Sequence, residues 1–132
     1  MLALHRAAHA TLQALATRLA GLDLPASEIN VLANLAGRHP LTVGALAAAT
    51  ATRPTTLTSV LDRLERRGYV AREVDPADRR SFLISLTPAG QQAAGTVAAA
   101  VRELEQGALA RVNPAQQAGF FAVIHALSEA PS

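Results

Sequence analysis

At 132 residues the chain has the length of one domain, and an apolar half with 17% charged residues suffices for a single packed core. Cysteine is absent and all twelve basic residues are arginine, which excludes disulfides, thiolate metal sites, cysteine nucleophiles, a Walker lysine and Schiff-base chemistry. The formal net charge of +2 is local: residues 53–80 hold seven arginines against five acids, whereas the other 104 residues carry five of each. Such a distribution suits a local anion-binding surface.

Alanine is abundant and aromatics make up only 3%, so mostly helical structure is expected. Leu4, Ala8, Leu12, Leu15, Leu19 and Leu22 recur at steps of three and four, predicting a first helix that ends near Gly21. Arg6 and Arg18 interrupt this stretch, which lacks the layout of a secretory signal. The longest uncharged run, from Ser81 to Val101, is too rich in Ser, Thr, Gln and Pro to span a membrane. A cytoplasmic protein without membrane association is expected.

A second helix follows Pro25 through Ile29, Leu32 and Leu35 and stops at Gly37. Leu41-Thr42-Val43 is a short extended piece, and Thr42 is placed to cap a small helix through Leu46 and Ala49. Pro54 then opens a helix whose Leu57, Val60, Leu61 and Leu64 share one face. At 100° per residue, Thr55, Ser59, Asp62 and Arg66 point away, with Thr56, Thr58 and Arg63 on the flanks. Gly68 supplies its stop.

The periodicity then changes to two. Residues 69–74 and 81–86 read as strands, joined by Asp75-Pro76-Ala77-Asp78-Arg79-Arg80, where Asp then Pro suit a type I turn. Two adjacent arginines thus flank a hairpin tip. Thr87-Pro88 caps a long helical arm with Val97, Val101, Leu104 and Ala108 as its apolar seam. Asn113-Pro114, with Gln116 set for a capping box, begins a last helix expected to bury Phe120, Ile124 and Leu127 or their neighbours.

Helix, turn, helix and hairpin in this order make a winged helix-turn-helix. Its second helix offers hydroxyls to base edges, and the hairpin arginines suit a neighbouring minor groove. The run Leu61-Asp62-Arg63-Leu64-Glu65-Arg66-Arg67-Gly68-Tyr69-Val70, then Arg72, Asp75 to Arg80 and Leu86-Thr87-Pro88-Ala89-Gly90, resembles the MarR family of bacterial transcription regulators. The resemblance covers about thirty residues in order, and the flanking helices fit it.

That resemblance implies a mainly α fold with a small β-hairpin wing, flanked by N- and C-terminal dimerisation helices. Residues 1–132 would form one domain, with 25–87 as the DNA-binding part and 1–24 and 88–132 as the dimerisation part. It implies Thr42, Arg53, Thr55, Thr56, Thr58, Ser59, Arg63, Asp78, Arg79 and Arg80 on the DNA side. Arg80 would enter the minor groove, oriented by Asp78. Leu4, Ala8, Leu12, Val101, Leu104, Ala108, Phe120, Phe121 and Ile124 would form the dimer interface. The implied activity is a homodimeric repressor on a palindromic operator, released by a small aromatic or phenolic effector, with no cofactor. Arg53 stands where relatives often carry an Asp cap, so Thr52 is the alternative cap or the helix start frays.

Blander readings stay open on residue pattern alone. Arg79 and Arg80 could pair with Asp75 and Asp78 at a solvated tip, and Asp62 could pair with Arg66 four residues on. His5 and His9 share a helix face at metal-ligand spacing, with His39 and His125 as conceivable partners of a metal-responsive regulator. A winged protein-interaction module without DNA binding is the alternative from another class. No nucleophile elbow, glycine-rich phosphate loop or clustered His and carboxylate set suggests an enzyme.

Overall fold

The structure is a computed structural model that describes residues 2–37 and 39–129. It is mostly helical with one small sheet. Helix α1 spans Leu2–Arg18 and is followed by a single 3-10 turn at Ala20–Leu22. The helix therefore ends before Gly21: Leu22 N–H donates to the Leu19 carbonyl at 2.9 Å, and Asp23 adopts a left-handed φ of +51°. This tight turn lets Leu19 pack against Ile29, Val97 and Ala100 in a small buried cluster.

Helix α2 (Ala26–Leu35) is followed by strand β1 (Leu41–Thr42), helix α3 (Val43–Thr50) and helix α4 (Pro54–Arg66). The predicted cap forms, as Thr42 Oγ1 accepts from Ala45 N–H at 3.1 Å. The start of α4 has no side-chain cap on either of the expected terms. Arg53 occupies the N-cap position without a capping bond, while Thr52 Oγ1 donates to the Thr50 carbonyl. Pro54 at the first helical position has no N–H to satisfy, which reduces the need for a cap.

Strands β2 (Val70–Asp75) and β3 (Asp78–Leu86) are antiparallel, and β1 joins the far side of β3, giving the order β1-β3-β2. The main core gathers Leu32, Leu35, Leu46, Leu57, Leu61, Leu64, Val70 and Ile84 beneath this sheet. The four apolar positions of α4 are all buried there, as the 100° spacing predicts.

Helices α5 (Pro88–Leu109) and α6 (Pro114–Ser128) complete the chain. Thr87 caps α5 by accepting from Gly90 N–H, and Asn113 with Gln116 forms a reciprocal capping box on α6. Two burial expectations need correction. Val97 is consumed inside the subunit by α1 and α2 rather than left for an outer seam. Helix α6 buries no residue within the chain: Phe120 and Phe121 are 54% and 46% exposed, because α6 has little contact with the other helices.

Candidate nucleic-acid interface

Helix α4 presents Thr55, Thr56, Thr58, Ser59 and Arg63 to solvent opposite its buried leucines. Thr58 Oγ1 donates to the Pro54 carbonyl at 2.9 Å, so this hydroxyl offers only its oxygen outward. Arg53 is also exposed at the start of the helix. Thr42 is half-buried and its oxygen is engaged as the cap of α3.

The wing differs from the expected loop. Arg79 and Arg80 belong to β3, which only Pro76 and Ala77 separate from the end of β2. Successive β2 residues Val74 and Asp75 face Phe82 and Asp78, so Arg79, Arg80 and Ser81 form a bulge with no partner across the ladder. Turn sequences do not announce such a bulge, which bends the strand and re-aims its side chains. Asp78 fixes it: one carboxylate oxygen accepts from Arg80 N–H at 3.0 Å and the other from Ser81 Oγ at 3.3 Å. Asp78 thus acts on the Arg80 backbone, not on its guanidinium. Asp75 accepts from Ala77 N–H at 2.9 Å, and neither acid forms an ion pair with Arg79 or Arg80 among the described residues. The solvated-pair reading is not what the geometry gives.

The expected Asp62–Arg66 pair is replaced by a longer-range one. Arg72 on β2 binds the Asp62 carboxylate and approaches Glu65 at 2.8 Å, so one guanidinium clasps two acids of α4. Arg66 instead donates Nε to the Asp62 carbonyl at 3.3 Å. Arg72 wins because strand pairing holds its partly buried stem beside α4, whereas Arg66 must order an exposed chain. Arg72→Ala is expected to cost about 1 kcal/mol of stability, read from a urea midpoint. It should also weaken any phosphate contact, because two uncompensated carboxylates then face the ligand.

A second grouping escaped the sequence. The turn after α1, the start of α2 and the end of α4 border an open surface groove of about 760 Å³. Arg67 braces it by donating to the Asp23 and Leu22 carbonyls at 2.7 and 3.2 Å, with its guanidinium 5.6 Å from the Tyr69 ring centroid. Glu28 lies at its back, only 2% exposed. No local pattern signals this site, since its parts lie about forty residues apart.

Of the residues expected at a dimer interface, Leu4, Ala8 and Leu12 are exposed along α1, Val101, Leu104 and Ile124 are half-buried, and Ala108 is exposed. His5 and His9 are exposed on α1, and His125 pairs with Glu129 at 3.3 Å. No group of three His, Asp or Glu side chains converges among the described residues. No helix among them is long and apolar enough to cross a membrane.

Residues 22–81 match the family model described as MarR family. A Thauera aromatica protein assigned to transcriptional regulation of the hcr operon is 31% identical over 108 residues, 79% of this chain. The chain spans only 63% of that relative's length. A Pseudomonas aeruginosa structure assigned as a transcriptional regulator is 30% identical with a TM-score of 0.77, covering 94% of this chain and 92% of that one. Bordetella bronchiseptica BpsR, whose DNA binding is regulated by 6-hydroxynicotinic acid, is 26% identical with a TM-score of 0.83, covering 97% of this chain and 91% of its own. The sequence match lies over the winged segment and the structural matches extend over nearly the whole chain, so the protein belongs to the MarR family, a family of transcriptional regulators rather than enzymes.

Proposed function

We propose that the protein is a sequence-specific repressor that binds double-stranded DNA as a homodimer. The observation that carries this reading is the bulge on β3, which holds two exposed arginines without carboxylate partners beside a helix face of hydroxyls and Arg63. In this arrangement Thr55, Thr56 and Ser59 of α4 approach base edges in the major groove. Arg80 enters the adjacent minor groove, while Arg53, Arg63 and Arg79 meet backbone phosphates. Thr42 and Thr58 act by holding their helix starts in place.

Exposed apolar side chains on α1 and α6 support self-association, because a lone subunit leaves Leu12, Phe120 and Phe121 in water. Between α1, α5 and α6 lies an apolar groove of about 430 Å³ that Leu104 and Ala108 help to line. A two-fold dimer asks for a palindrome with half-sites roughly 34–36 Å apart. Leu104→Glu is expected to dissociate or unfold the protein, since an unpaired carboxylate would be buried in that groove. Sedimentation at several concentrations measures this, and a parent protein that stays monomeric rejects the dimer.

The direct test is duplex affinity against salt. Each phosphate neutralised contributes about 0.9 to the slope of log affinity on log salt. A steep slope that flattens in Arg63→Ala is the expected result. A slope near zero for the parent favours a winged interaction module instead. The regulation of BpsR by 6-hydroxynicotinic acid supports a small aromatic acid as effector here.

A further inference from the structure

We propose that Val74 and Phe82, an apolar pair on the inner face of the wing, pack on deoxyribose sugars at the mouth of the minor groove. They are direct partners across the β2–β3 ladder, two residues further out than the pair Arg72 and Ile84. Residues two apart on a strand share a face, so these side chains stand on one side of the sheet. Ile84 is buried in the main core and Arg72 reaches α4, which identifies that side as the inner one. The face therefore stays apolar past the point where the core ends. Val74 is 52% exposed and Phe82 is 45% exposed, so the rest of the described chain leaves this outer rung largely uncovered. A strand face that meets only water is normally polar, and this one is built as if something covers it.

The surroundings select the occupant. Phe82 directly follows Arg79, Arg80 and Ser81, and neither guanidinium has a carboxylate partner among the described residues. The wing of a second copy is a poor fit, because it would set these cations against their own counterparts. A polyanion that also offers apolar surface meets both demands. On a DNA duplex the phosphates supply the charge, and the apolar surface outside the base stack is the sugar edge that walls the minor groove.

This assignment rests on the proposed duplex binding and adds to it a contact without charge. With Arg80 inside the groove, the pair beside the bulge meets the sugar wall. Such a contact releases no counterions, so its strength is independent of salt. It also distinguishes sugars. A ribose carries its 2′-hydroxyl in the minor groove, where Val74 and Phe82 offer it no hydrogen-bond partner.

The experiment is anisotropy titration, at several salt concentrations, of a duplex that the parent protein selects from a random pool. Phe82→Thr keeps a residue suited to a strand while removing the ring. It should weaken binding roughly tenfold at every salt concentration, with the slope of log affinity on log salt unchanged. Val74→Thr, close to the parent in shape, should weaken binding by a smaller factor even if the Phe82 variant fails to fold. Ribonucleotides in the flanks of the same duplex should lower parental affinity severalfold and leave Phe82→Thr almost indifferent. Parental affinity in both variants overturns the contact. So does a loss accompanied by a flattened slope, which would mean that the pair only supports the arginines. A change in sedimentation without a change in duplex affinity assigns the pair to self-association and overturns the contact too. Equal sensitivity of parent and Phe82→Thr to ribose rejects deoxyribose as the surface met. A parent protein that selects no duplex rejects the DNA reading itself, and this contact with it.

Discussion

Arg80→Ala is expected to weaken duplex binding by about 1–3 kcal/mol per half-site while leaving the thermal midpoint unchanged. Arg80 is exposed, and only its backbone N–H takes part in the structure of the wing, through Asp78. Alanine keeps that N–H, so the bulge persists without its guanidinium. A lysine at this position should recover only part of the loss, because an ammonium lacks the planar fork that fits a narrow groove. Fluorescence anisotropy on a fixed duplex measures both variants. An alanine variant that folds, self-associates and binds with parental affinity removes Arg80 from the interface.

Gly90→Ala carries the largest expected effect on stability. A β-carbon at this position would stand 1.9 Å from the Tyr69 carbonyl oxygen and 2.9 Å from its carbon. That carbonyl cannot retreat easily, because it accepts from Thr87 N–H at 3.1 Å where α5 leaves the sheet. The Thr87 hydroxyl ties the same corner by donating to the Gly68 carbonyl at 2.5 Å. The clash is with the Tyr69 backbone, and the Leu86 side chain stands 3.3 Å away, so a loss of about 3 kcal/mol is expected, at the upper end for overpacking. Gly95→Ala is the control on the same helix. Its β-carbon meets nothing within 4 Å, and a gain of about 0.5–1 kcal/mol is expected from helix propensity. Urea midpoints that move together in one direction would contradict this account.

Local chemistry explains what the sequence made legible. Thr42, Thr87 and the Asn113–Gln116 box lie within three residues of the groups they cap, so spacing alone identifies them. Gly37 and Gly68 end their helices at φ of +66° and +80°, where side chains are disfavoured. The errors concern contacts between distant segments. Asp62 looked bound to Arg66 because both share a helix face, yet β2 brings Arg72 alongside after the chain has turned. The leucine pattern places the end of the first helix near Gly21, and the α-helix itself stops at Arg18 because the pattern continues through the 3-10 turn without losing its face. The bulge at Arg79 and Arg80 arises from cross-strand register, which residue order alone does not encode.

The Arg72 clasp has a mechanical corollary. It welds α4 to the strand that supports the wing, and the Gly90–Tyr69 contact fastens the foot of α5 to the same block. Helix α4 and the hairpin are therefore tied to each other at a fixed mutual angle. Between this block and α1, the buried packing narrows to Leu19, Ile29, Val97 and Ala100. Arg67 adds two hydrogen bonds from the end of α4 to the Leu22 and Asp23 carbonyls, and Leu22 and Leu24 pack on both buried clusters, so a torque applied to the wing would be passed on to the foot of α1 instead of being absorbed between them.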